Sequence, residues 1–331
     1  MAASKRVIAV TGATGFVGRH FVRRLLEENC FEIRCLVRPG SDLEALRALG
    51  GPVSFVYGDI TRPESLGPAF DKAWAVVNLA GYREFWNRSR QHFYTVNELG
   101  AKNVFRACLD AGVRKVVQVS TPLAYGVPDR IPFNEDSQAG EHPSDYARSK
   151  YLGDEAGREL HEREGLPLTT VYLAAVIGAG DDKSTMEVRR AVERKLPALV
   201  GADTTYTYVY VRDAADAIAR ALLKRDSVGR SYLVGNQRAT TREYFEMIGD
   251  IAGVPIPSRN IPESWLFPLA RGMEWVSRKT GVRPVLPLDV IKTTAAGSLL
   301  FDDSRAVEEL GMRYTPLRTA LGESVRDLLS G

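Results

Sequence analysis

The segment SDYARSK, residues 144–150, places Tyr146 four residues before Lys150. On a helix that spacing brings both side chains to one face, where a phenol and an ammonium can share proton chemistry. The same spacing is common on solvated helix faces, so the pair gains meaning only from its company. A second set of residues supplies it. In VIAVTGATGFVGRH, Gly12, Gly15 and Gly18 follow an apolar run and lead into a helical pattern. Glycines there allow a tight turn, a close backbone approach to a pyrophosphate and close packing of helix on strand, while the helix start offers free N–H groups to an anion. Thr14, Gly15, Phe16, Val17 and Gly18 are the positions whose backbone would border such a ligand. The spacing is GxxGxxG, one residue longer in its first gap than the GxGxxG fingerprint.

Further along, each apolar run ends on residues suited to a dinucleotide. After the second run comes CLVRPGS, with Arg38 where a site that reads NAD usually carries a carboxylate for the ribose hydroxyl, and Ser41 close behind. A guanidinium pairs a 2′-phosphate bidentately, so the expected cofactor is NADP(H), with NAD(H) as the lesser choice. After the third run, Asp59 would accept from an adenine amino group and the Ile60 backbone would lie along the base edge; a turn-capping aspartate has the same sequence signature. NLAG closes the fourth run, and its small residues beside Leu79, namely Ala80 and Gly81, would let a ribose approach the backbone.

These residues need a frame. Short β-branched runs at 6–10, 31–37, 52–58, 73–81, 115–120 and 167–176 alternate with helical stretches at 15–28, 89–111 and 145–164. Strands apolar nearly throughout and separated by helices indicate an α/β fold, a doubly wound parallel sheet covered on both faces. Residues 1–180 are expected to form the dinucleotide domain, with 204–238 partly returning to it, and 181–331 a smaller α/β substrate lobe. The amphipathic stretch 263–276 has a pattern that would also suit contact with a membrane, but is expected rather to pack on that lobe or line a pocket.

Composition excludes several classes. The chain has 331 residues, 44% apolar and 26% charged, with a net charge of only +3, which argues against a nucleic-acid partner. No apolar stretch approaches a membrane span, and the first residues lack a signal-peptide core. Cys30, Cys35 and Cys108 form no CxxC pair and read as small buried hydrophobes in a reducing, cytoplasmic setting. His20, His92, His142 and His161 lie far apart, so no metal site is expected.

As a set and in this order, TGATGFVG, GDI, NLAG, VNELGAKNVFRACLDAGVRKVVQVST and YARSK resemble the extended short-chain dehydrogenase/reductase superfamily, the NAD(P)-dependent epimerase/dehydratase family, over nearly the whole chain. The resemblance implies a Rossmann-type sheet and a catalytic Thr121, Tyr146 and Lys150. Thr121 is preferred to its neighbour Ser120 on its distance from the tyrosine. Lys150 would lower the phenol's pKa and bond the nicotinamide ribose, Tyr146 would pass a proton to or from a substrate oxygen, and Thr121 would hold that oxygen. Asn97 matches the family's structural asparagine, which bonds backbone and orders a relay water. The resemblance also implies a homodimer through the helices near 89–111 and 145–164.

Two branches of the superfamily compete. Dihydroflavonol-reductase-like enzymes transfer hydride to or from an aldehyde, ketone or alcohol; nucleotide-sugar epimerases and dehydratases return it to the same substrate. Arg38 favours the first, as do Phe85 and Trp86, which would wall an apolar substrate. Tyr125 suits the second equally, and Arg83, Arg88 and Arg90 would meet a pyrophosphate if they are not simply solvated. A non-catalytic dinucleotide sensor is the third reading, against which stands the intact tyrosine and lysine pair.

Overall fold

The structure, a computed structural model, describes residues 5–330, with backbone alone at 182–186 and at 330. Its frame is a sheet of seven parallel strands: β1 (Arg6–Thr11), β2 (Phe31–Val37), β3 (Val53–Tyr57), β4 (Ala75–Asn78), β5 (Lys115–Ser120), β6 (Leu168–Leu173) and, much later in the chain, β10 (Ser231–Val234). Across the sheet the order is β3-β2-β1-β4-β5-β6-β10. The chain therefore crosses from one edge to the middle between β3 and β4. Connections leave β1 and β4 in opposite directions, and the crevice at their carboxyl ends is where such sheets take ligands.

Both faces are covered, as the near-continuous apolar strands require. One side carries the helices Phe16–Leu26 and Val211–Leu223, which bring Phe21, Val22, Leu25, Ile218 and Leu222 into one core with Val10 and Val77. Alanines 214, 215, 217, 219 and 221 thin the second helix enough to lie close to the first, and Arg24 bonds Asp216 across them at 2.8 Å. The other side packs Phe70, Val104, Phe105 and Leu160 against Ala9, Val76 and Val116.

The helix Asp145–Glu164 carries the tyrosine and lysine. Ser144 caps it, accepting from the Ala147 N–H at 3.2 Å, and Gly165, at φ +73°, stops it. It packs unusually close to its neighbour: a Cβ at Gly153 would stand 2.3 Å from the Asn97 carbonyl oxygen. That neighbour is not the single helix expected over 89–111. It runs Gln91–Tyr94, turns π-helical over Thr95–Leu99 and resumes as Gly100–Asp110.

The remaining strands build the lobe: β7 (Ala175–Ile177), β8 (Leu199–Val200), β9 (Thr205–Tyr210), β11 (Gln237–Thr240) and β12 (Asn260–Ile261). They form a three-stranded sheet, β11-β9-β7, and a two-stranded pair of β12 with β8. Two expectations change here. The run 167–176 is not one strand but two, because the chain leaves the main sheet after Leu173 and β7 joins β9 in the second sheet. The return of 204–238 to the main domain starts only with the helix at Val211, since β9 belongs to the lobe. Cys35 and Cys108 are buried as expected, whereas Cys30 is exposed on the turn before β2. The helix Glu263–Thr280 lies against the helix Leu288–Ala295 and buries Ala270 and Ser277, but leaves its apolar stripe uncovered. Among the described residues no helix is long and apolar enough to cross a membrane.

Candidate active site

The glycine turn leaves β1 at the crevice. Gly12 sits at φ +68°, and a Cβ there would fall 2.6 Å from the Ala80 nitrogen. A Cβ at Gly18 would fall 2.2 Å from the Gly12 carbonyl oxygen. No side chain could be added at either place without moving backbone, so the loops after β1 and β4 stand in direct contact. Gly15 starts the helix Phe16–Leu26 without a side-chain cap, which leaves its first N–H groups facing outward for an anion. The Phe16 side chain is buried in the core of the lobe, so only its backbone and those of Thr14 and Val17 are left to such a ligand. Leu79 N–H donates to the Thr11 carbonyl at 3.2 Å, and Ala80 N–H to the Thr11 hydroxyl at 3.2 Å.

At the rim, Arg38 is exposed at the end of β2. Asp59 faces it from the end of β3 but spends one carboxylate oxygen on a turn, accepting from the Thr61 N–H and hydroxyl at 2.8 Å each. Burial works against that charge, yet the Thr61 bonds and the Arg38 and Arg62 cations hold the carboxyl below its usual range. Ile60 packs under Gly100, and its carbonyl accepts from Asn103 at 2.9 Å. These residues fit a dinucleotide: a backbone cradle closed to side chains, an uncapped helix start and a cation at the ribose end.

The residues expected to be catalytic lie at the end of β5 and on the helix Asp145–Glu164. Thr121 accepts from the Leu123 N–H at 3.4 Å and is near enough to the Tyr146 phenol to lower its pKa, whereas Ser120 points into the interior and donates to Asp154. The two neighbours thus serve different partners. Tyr146 is only half-buried by accessible surface, yet the protein packed about its hydroxyl pushes the phenol up to about 12, against the opposing pull of the Arg83 cation. Lys150 is buried, donates to the Val119 carbonyl at 3.0 Å and has its pKa lowered by burial, with Asp154 opposing. Of the protein's own contributions desolvation dominates, and the neighbouring charges on Tyr146 are Arg83, which lowers its pKa, and Asp154, which raises it. Phe85 meets the Tyr146 ring edge-on at 5.7 Å, and Trp86 follows it in the loop after β4.

Asn97, in the π-helical turn, is fully engaged. Its Oδ1 accepts from Tyr82 N–H at 2.7 Å, and its Nδ2 donates to the Tyr82 carbonyl at 3.0 Å and to Ser149 at 2.9 Å. It ties the loop bearing Phe85 to the catalytic helix. Arg83 pairs with Asp181 at 2.6 Å and Arg90 with Asp145 at 2.5 and 2.8 Å, so neither is a merely solvated charge.

Sequence reasoning missed the deepest part. Thr11 donates to Asn78 at 2.5 Å, Asn78 to Gln118 at 2.7 Å and Gln118 to Asp154 at 3.3 Å. A line of buried polar side chains thus crosses β1, β4 and β5 from the glycine turn to the helix beneath Lys150. Burial raises the Asp154 pKa, with Lys150, Ser120 and Gln118 opposing. Its signal was present: Asp154 lies four residues past Lys150, and Asn78 and Gln118 interrupt otherwise apolar strands. Beyond Asp154 lies a cavity of about 540 Å³ lined by Tyr125, Glu135, Arg158 and Tyr172. Among the described residues no cluster of three or more ligands for a metal occurs.

Residues 8–235 match the model of the NAD dependent epimerase/dehydratase family. The chain belongs to that family. It is 29% identical over 329 residues to a putative dihydroflavonol 4-reductase of Synechocystis, covering 96% of this chain and 92% of the relative. It superposes on the crystal structure of gox2253 with a TM-score of 0.83 at 29% identity, covering 98% of each chain. A dTDP-glucose 4,6-dehydratase of Streptomyces venezuelae, solved with NAD bound, shares the fold with a TM-score of 0.79 at 23% identity and covers 98% of this chain and 97% of its own. Like other members of the epimerase/dehydratase family, the chain is an enzyme of the short-chain dehydrogenase/reductase type that uses a nicotinamide dinucleotide.

Proposed function

We propose that this enzyme is an NADP(H)-dependent oxidoreductase that reduces an aldehyde or ketone to an alcohol, or runs the reverse reaction. The observation that carries this reading is Arg38, an exposed cation at the end of β2 in the place where NAD sites keep a carboxylate. Asp59 is close enough for their charges to couple.

When bound, the nicotinamide supplies the hydride. Tyr146, protonated at neutral pH because burial holds it near 12, is set to donate to the developing alkoxide rather than to abstract a proton. Thr121, beside the phenol, steadies the same oxygen. Lys150, anchored on the Val119 carbonyl one turn along the helix from Tyr146, would hold a ribose hydroxyl of the cofactor. Phe85 turns its ring against Tyr146 and favours an apolar or aromatic group on the carbonyl carbon. The same reading pairs two copies through Gly100–Asp110 and Asp145–Glu164 as a four-helix bundle.

The test is a fluorescence titration of nucleotide-stripped protein with NADPH and NADH, repeated on Arg38→Ala. NADPH should bind more tightly, and the variant should lose that margin. If NADH binds as well to the native protein, and nucleotide sugars are converted with no net change in NADH, the protein recycles its hydride as an epimerase or dehydratase does.

A further inference from the structure

The helix Glu263–Thr280 leaves Trp265 75%, Leu269 55%, Trp275 60% and Val276 49% exposed, and in the loop that follows Val282 and Val285 stand out at 68% and 76%. On a helix, 265, 269, 272 and 276 fall in one line, with 275 and 279 beside it. A stripe of this kind on the surface of a folded protein marks a contact, since scattered exposed apolar residues do not align.

The charge around it identifies the partner. Residues 258–285 carry Arg259, Arg271, Arg278, Lys279 and Arg283 against Glu263 and Glu274, an excess of three cations that equals the net charge of the whole chain. All five cations are exposed, and Lys279 lies 3.8 Å above the Trp275 ring. A second copy related by a two-fold axis would set this cationic surface against itself. An anionic bilayer complements it: tryptophans sit at the boundary of headgroups and acyl chains, and arginine and lysine meet lipid phosphates.

We propose that Glu263–Thr280, with the loop after it, docks in the plane of an anionic lipid surface. The opposite face of the helix is occupied by protein: Glu274 and Arg278 line a crevice with Phe85 and Trp86, and Arg283 pairs with Glu84 at 2.8 Å, which leaves the stripe as the face free to meet lipid.

The experiment is flotation of the full-length protein with vesicles of phosphatidylcholine alone and with added phosphatidylglycerol, with no carbonyl or cofactor present, so that it is blind to the reaction catalysed. The protein should float with the anionic vesicles, stay below with the neutral ones and be released by salt. Arg271→Ala and Lys279→Ala should each weaken binding about fivefold, the effect of roughly one cation at such a surface. Trp265→Ala combined with Leu269→Ala should abolish it while the melting temperature holds, since both side chains are exposed. Failure to float with anionic vesicles at low salt overturns the proposal. So does a dimer that the Trp265 and Leu269 changes dissociate and that vesicles fail to disrupt, which would assign the stripe to a second copy.

Discussion

Replacing Asp154 by Asn removes the carboxylate beneath Lys150 while keeping its volume, and the consequence follows from burial. Lys150 is 6% exposed and Asp154 4%. The two couple through their charges rather than by direct contact, and a buried charge left without its counter-charge costs on the order of 3–5 kcal/mol. The lysine has one escape, which is to lose its proton; from an ordinary pKa near 10.4 that costs about 4–5 kcal/mol at neutral pH, so the two routes agree. The variant should therefore be about 4 kcal/mol less stable near pH 7, a large part of the total for most domains. The gap should narrow as pH rises. Without Asp154 the folded-state pKa of Lys150 falls further below its unfolded value, the unfolded chain binds more protons, and the variant gains up to about 1.4 kcal/mol per pH unit until the unfolded lysine itself titrates. Asp154 acts in the same direction in the native protein: its folded pKa is raised, so the stability it confers is lost as pH rises through that value. Urea denaturation of both proteins at several pH values between about 7 and 10 reads the gap. A gap of constant size would mean that Asp154 serves only as a hydrogen-bond acceptor for Ser120 and Gln118, and the electrostatic account would be wrong.

Three further outcomes are expected. Tyr146→Phe should reduce turnover of any carbonyl the enzyme accepts by about 10²–10⁴-fold while NADPH binding, followed by fluorescence, is unchanged. Gly18→Ala must push the Gly12 carbonyl aside, so it should lose dinucleotide binding and about 1–3 kcal/mol of stability, measurable by titration and by thermal unfolding. Asn97→Ala leaves the Tyr82 backbone groups without their partner, at about 1–3 kcal/mol for each one kept from water, and faster amide exchange in the loop bearing Phe85 should show it.

The parallel sheet, the glycine turn and the tyrosine and lysine pair were legible in the sequence because each depends on residues close together in the chain. Periodicity reports which face of a strand or helix is apolar and where a turn falls. It does not report partners. β7 and β9 show the same alternation whichever sheet they join, so their place in the lobe could not be seen. The π-helical turn at Asn97 is a change of hydrogen-bond register rather than of residue type. Asp154 acquires its role from Ser120 and Gln118, more than 30 positions earlier, and the choice between Ser120 and Thr121 turns on the same contact. Amphipathicity of 263–276 foretold an apolar stripe, but packing decided that it would be left bare.

The position of β10 governs how the protein can be made. β6 bonds β5 on one side and β10 on the other, and β10 leaves the ribosome only after the chain has passed through the lobe's β7 and β9. During synthesis six strands can assemble while the free side of β6 still offers unpaired N–H and C=O groups, an invitation to any other strand nearby. The first domain is therefore finished only when part of the second exists. A gene cut after residue 180 would leave that edge open for good.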